Sequence, residues 1–78
     1  MSHPEYVNVG SAKSKVIEEI GEVLQAIGKV ERFGLFNFHP DRPHMNNRSE
    51  LLGEIADLEN ALARYKSELA KAKEPRDA

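Results

Sequence analysis

Two groups of carboxylates carry the chemistry in this chain, Glu18-Glu19-x-x-Glu22 and Glu54-x-x-Asp57. Acids three apart on a helix lie side by side on one face. Two such pairs brought together form an oxygen-rich site suited to a hard divalent cation such as Mg²⁺, with Mn²⁺ as a substitute. The same acids also suit a plain solvated face, paired with bases such as Lys15, Lys29 and Arg48. The spacing alone leaves both readings open.

The acids must be positioned by two helices. From about Ser11 the apolar residues Val16, Ile20, Val23, Ile27 and Val30 recur in steps of four and three, a one-sided helical stripe. Ile17 and Leu24 widen it. Phe33-Gly34 ends the pattern, as a glycine at a helix C-terminus does. A second stripe runs through Leu51, Ile55, Leu58, Leu62, Tyr65 and Leu69, again in steps of four and three. Asn47 is the expected N-cap, with Glu50 completing a capping box. The expected helices therefore cover about 11–33 and 47–73. Between them lies a loop over 34–46, where Gly34, Pro40 and Pro43 exclude a regular element. Residues 1–10 read as an arm and 74–78, with Pro75, as a frayed tail.

At about 100° per residue, Glu19 lies roughly −60° and Glu22 roughly −120° from Val16. Glu54 and Asp57 lie at roughly the same −60° and −120° from Leu51. In an antiparallel hairpin with facing stripes, equal shoulders fall on the same side. A parallel pairing would separate them. The expected fold is thus an all-α antiparallel helical hairpin that gathers four acids. Carboxylates so placed repel one another unless a cation or a proton intervenes.

The chain has 78 residues, a formal net charge of −2 and no cysteine. It is one domain, without a disulfide or zinc-thiolate brace. A hairpin this small leaves one side of its stripe uncovered, with Ile17, Leu24 and Leu52 widening it. Pairing two hairpins into a four-helix bundle, as a homo-dimer or homo-tetramer, covers it. Interspersed charges give no electrostatic case for nucleic-acid binding. No apolar run approaches the roughly 20 residues that span a bilayer. The first ten residues lack the apolar core of a signal peptide. The expected location is the cytoplasm.

The stretch from Glu18 to Leu62 resembles the all-α nucleoside triphosphate pyrophosphohydrolases, and within them the small MazG-like proteins of bacteriophages. The resemblance rests on Glu18-Glu19-x-x-Glu22, Arg32-Phe33-Gly34, His39-Pro40-Asp41, Asn47 and Leu51-x-x-Glu54-x-x-Asp57. It implies that Glu19, Glu22, Glu54 and Asp57 hold Mg²⁺ and that Glu18 and Glu19 act as catalytic carboxylates. The implied reaction hydrolyses an NTP or dNTP to the monophosphate and pyrophosphate, by water attack at the α-phosphorus, in a bacterial or phage-infected cell. Two departures stand out. The gap between the acidic pairs is long for the superfamily, and only the short arm precedes the first helix.

Other residues carry two readings each. Lys29 and Arg32 follow the first acids and suit phosphate, or plain solvation. His39 and Asn47 suit substrate, or structuring of the loop, which is the preferred reading. Asn60, three after Asp57, suits a ribose or base. Phe33, Phe36 and Phe38 suit base stacking, or the commoner task of anchoring the loop. His3 and His44 have no supporting context, and three scattered histidines make no zinc signature.

Overall fold

The computed structural model describes residues 11–74. The expected arm over 1–10 and the tail residues 75–78 lie outside the described residues. Helix α1 spans Ser11–Phe33 and α2 spans Asn47–Lys71, ending two residues short of the expected 73. The two helices pack on each other as a hairpin, with no strand among the described residues. Glu22 approaches Glu54, and Lys29 pairs with Glu50. The helices therefore run antiparallel.

The contact face differs from the expected stripe. Among the described residues the buried apolar ones are Ala12, Val16, Ala26 and Ala61, and Glu19 is buried with them. Val23, Val30, Leu51, Leu58 and Tyr65 are half-buried beside them. Ile20 and Ile27, expected at the centre, are each 43% exposed, and Ile55 and Leu62 are also exposed. Both helices have turned toward their acids. The reason is side-chain size. Interaxial distance is set by the residues at the contact, and three of the four buried apolar residues are alanines. A seam of small residues lets the backbones approach. The large aliphatic side chains then lie on a flank.

The loop closes on the start of α2. Gly34 has φ of 90°, a left-handed value that side chains disfavour. Its N–H donates to Val30 O at 2.8 Å, ending α1 as a glycine cap does. The first four N–H groups of any helix lack partners within it. Here Asn47 N–H donates to Asn37 O and Arg48 N–H to Leu35 O, both at 2.8 Å. Ser49 N–H donates to Asn46 Oδ1 at 2.9 Å, and Glu50 N–H to Asn46 O at 3.0 Å. Loop carbonyls thus satisfy two of these donors and the Asn46 side chain a third, while the Asn46 carbonyl accepts the first regular helical bond. An isolated antiparallel bridge joins Phe38 and Asn46.

Two expectations are corrected here. Asn46, not Asn47, is the N-cap. Asn47 is buried, and its Nδ2 donates to Gly34 O at 2.9 Å. The dipeptide holds two asparagines, and the loop carbonyls at 34, 35 and 37 decide which one caps. Glu50 does not serve a capping box. Its carboxylate instead pairs with Lys29 at 3.6 Å and Arg42 at 3.3 Å.

This closure is testable by thermal unfolding. Gly34→Ala forces a β-carbon into the left-handed region and is expected to cost about 1–2 kcal/mol. Asn47→Ala, which leaves Gly34 O without its donor, is expected to cost about 1–3 kcal/mol. Wild-type melting temperatures in both variants would contradict the account of the loop.

Candidate metal and nucleotide site

Glu19, Glu22 and Glu54 each present a carboxylate oxygen within 4.8 Å of the others. Two come from α1, one turn apart, and one from α2. The rotation of both helices toward their acidic shoulders creates this convergence. Glu19 sits in the seam itself, with its side chain only 8% exposed. Lys15, one turn before it, meets it at 2.9 Å and reaches Glu18 at 3.6 Å. The hydrogen bond to Glu19 and the charge of Glu18 raise the lysine's pKa.

Glu54 is the strained member. Its carboxyl is pushed above the ordinary range, first by partial burial and then by the charges of Glu22, Asp57, Glu19 and Glu50. Desolvation and like charges both disfavour the ionised form. The donors are all carboxylate oxygens, with no His or Cys among the three. Such a set suits a hard divalent cation and offers nothing to a soft one. The residues fit the metal that the acid spacing suggests.

Asp57 is the expected fourth ligand. It stands beside the cluster, exposed, close enough to act on Glu54 by its charge. It lines an open recess of about 330 Å³ with Lys15, Glu19, Asn60, Ala61 and Arg64. Arg64 also reaches Glu68, at 3.9 Å. Glu18 is on the outer side of α1, its side chain 62% exposed.

A second recess, of about 320 Å³, opens at the loop end of the hairpin. Lys29, Arg32, Phe33, Phe38, His39 and Asn47 line it. That volume is at the lower end of small-molecule sites. The Arg32 guanidinium lies 5.6 Å from the Phe33 ring centre, a cation–π contact. The Nδ1 of His39 accepts from Asp41 N–H at 3.1 Å, which holds the loop turn. Asn47 is equally occupied by the loop. Phe36 is exposed and does not line the recess, and neither does His44.

The structure therefore gathers Glu19, Glu22 and Glu54, keeps Asp57 adjacent, and places Lys29, Arg32, His39 and Asn47 around one recess. Asn60 belongs to the other recess, away from these four. Sequence reasoning missed the bridge Lys29–Glu50–Arg42, which joins α1, the loop and α2, with the Glu50 side chain 15% exposed. It also missed Arg64 as a cation beside the acids. The sequence offers Lys15 as a base for the acids, and the structure pairs it with Glu19, four residues on. Arg42 was not detectable, because only the fold of the loop aims it at Glu50. No family model, curated protein or solved structure matches the chain.

The raised pKa of Glu54 has a definite sign. Between its ordinary value of 4.5 and its folded value, the folded state binds more protons than the unfolded one. Its contribution to stability therefore falls as pH rises through that window. In EDTA, Glu54→Gln is expected to melt higher than wild type at pH 7, and the two curves to converge toward pH 4. A constant difference across that range would show that the carboxylates do not crowd Glu54.

Proposed function

We propose that this chain is a Mg²⁺-dependent nucleoside triphosphate pyrophosphohydrolase of the MazG-like kind, working as a homo-oligomer. One observation carries the reading: three carboxylates from two helices converge within 4.8 Å, and the same hairpin has a recess at its loop end that offers aromatic rings and cations. Glu19, Glu22 and Glu54 would hold the cation, with Asp57 next to them. When bound, the cation offsets phosphate charge and acidifies water.

The chain's own side chains suit the remaining tasks. Phe33 and Phe38 offer ring faces to a nucleobase. Lys29 and Arg32 offer charge-assisted hydrogen bonds to phosphate oxygens, as do Lys15 and Arg64 from the other recess. Glu18, the proton acceptor that the resemblance implies, lies on the outer side of α1 and outside the three-carboxylate cluster. That role would need it to act through Glu19 or a bridging water. The overall reaction places the attacking water on the α-phosphorus and releases pyrophosphate. Self-assembly into a four-helix bundle is supported by the large aliphatic residues that the hairpin leaves exposed. A formal net charge of −2 gives nucleic acid no electrostatic foothold. Among the described residues no helix is long and apolar enough to cross a membrane.

The same exposed aliphatic face favours a second reading, a non-catalytic helical oligomer that serves as an interaction or nucleotide-binding module. Two measurements separate the readings. Free Mg²⁺ at about 100 times its dissociation constant stabilises a folded-state site by about 2.7 kcal/mol, a rise in melting temperature of roughly 10–20 °C for a domain this size. Glu19→Gln is expected to abolish most of that rise. Pyrophosphate release from a panel of ribo- and deoxyribonucleoside triphosphates is expected with Mg²⁺, and to fall at least about a hundredfold in a Glu54→Gln, Asp57→Asn double variant. Stabilisation without release would leave a metal-binding module, and neither effect would sink the hydrolase reading and leave the non-catalytic oligomer.

A further inference from the structure

The flank opposite the acids carries an unpartnered aliphatic strip on each helix. On α1 it consists of Ile17, Ile20, Leu24 and Ile27, with Ile17 and Leu24 each 63% exposed. On α2 it consists of Leu52, Ile55 and Leu62, with Leu69 beyond. Both strips lie roughly 90–100° from the seam in the same rotational sense. In an antiparallel hairpin they therefore form one continuous face, about 15 Å long between Ile17 and Ile27.

The α1 strip is closed at both ends by opposite charges. Lys13 is one turn before Ile17 and Glu31 one turn after Ile27, and both share the strip's direction. Across Lys13, Ile17, Ile20, Leu24, Ile27 and Glu31 the steps are four, three, four, three, four. This spacing reads the same in both directions, with its midpoint at Glu22. A second α1 laid antiparallel would set Ile17 against Ile27, Ile20 against Leu24, and Lys13 against Glu31. The charges are complementary in that arrangement and in no parallel one.

The same axis crosses α2 near Ile55, although only Ile55 of the α2 strip meets its own kind across it. Lys29 pairs with Glu50 and Glu22 meets Glu54, so Ile55 stands at about the height of Glu22. A two-fold axis there sets Ile55 against its own copy. It also brings Glu59 within about one turn of Arg48 of the second chain. The competing two-fold, along the helix axes, would lay α1 on α2 of the other copy. It would place Lys13 near Lys66 and set Glu59 against Ile17 and Ile20 with no base opposite.

We propose that a second copy of this chain docks on this face, α1 on α1 and α2 on α2, both antiparallel, about a two-fold axis near Glu22 and Ile55. Isologous contacts of this kind close as a dimer. The two acid clusters then face outward on opposite sides, so each is built by one chain. This inference rests on the self-assembly in the proposed function and not on the hydrolase reading.

The chain has no cysteine, so single introduced cysteines report the register cleanly. Sedimentation of the full chain is expected to show a dimer. Under mild oxidation, Ile55→Cys is expected to cross-link to itself, because a disulfide needs Cα atoms within about 7 Å. Ile17→Cys is not, because its mate lies about 15 Å along the helix. A mixture of Ile17→Cys and Ile27→Cys chains is expected to give the mixed disulfide. Lys13→Glu is expected to weaken the dimer about two- to tenfold through two symmetric pairs, and Lys13→Glu with Glu31→Lys to restore it. A chain that stays monomeric at all concentrations overturns the proposal. So does self-cross-linking through position 17, or a double swap no better than the single. Pyrophosphate release is read separately, so its loss or survival bears only on the hydrolase reading.

Discussion

The hairpin depends on a narrow seam that buries Ala12, Val16 and Ala26 of α1 and Ala61 of α2. Small side chains there bring the backbones close and rotate each helix toward its acidic shoulder. Glu19 is carried into the seam, and burying its charge is tolerated because Lys15 meets it at 2.9 Å. Glu22 and Glu54 are drawn to the seam's edge. The same rotation pushes Ile17, Ile20, Leu24 and Ile27 out of the contact. Acid cluster and aliphatic flank are thus two results of one packing choice, and they lie on opposite sides.

That choice leaves the single hairpin with little core of its own. Among the described residues the buried apolar ones are three alanines and one valine, and no large side chain is fully buried. Burial of a leucine or isoleucine contributes about 1.5–3 kcal/mol, and the exposed flank withholds several such contributions. Polar closure supplies some order instead. The loop meets the first turn of α2 donor by donor, and Glu50 holds Lys29 and Arg42 together. A loop of this length without regular structure is held by its ends and by its own carbonyls.

Charge crowding at Glu54 and the open recess lined by Phe33 and Phe38 are the features on which the proposed function rests. The Mg²⁺-bound nucleoside triphosphate of that proposal would answer them with a cation, anionic groups and a flat apolar part. The cations nearby are already committed to partners, Lys29 to Glu50 and Lys15 to Glu19. Phosphate contacts from them would require exchange of those pairs.

The sequence by itself determined the two helices, the loop between them, the side on which the acids lie and the antiparallel pairing that gathers them. These follow from short-range periodicity and from glycine and proline, which act locally. It was also enough to single out Glu19, Glu22 and Glu54. Tertiary structure alone decided the rest. Which face of each helix forms the contact depended on how closely the axes approach, and hydrophobic periodicity overestimates large residues such as Ile20 and Ile27 against alanines. Whether Asn46 or Asn47 caps α2 depended on where the loop carbonyls of Gly34, Leu35 and Asn37 fall. The pairing of Arg42 with Glu50 depended on a loop path that no local rule encodes. In each case the deciding partner is distant in the chain or set by the path of the backbone, so its effect appears only once the helices are packed.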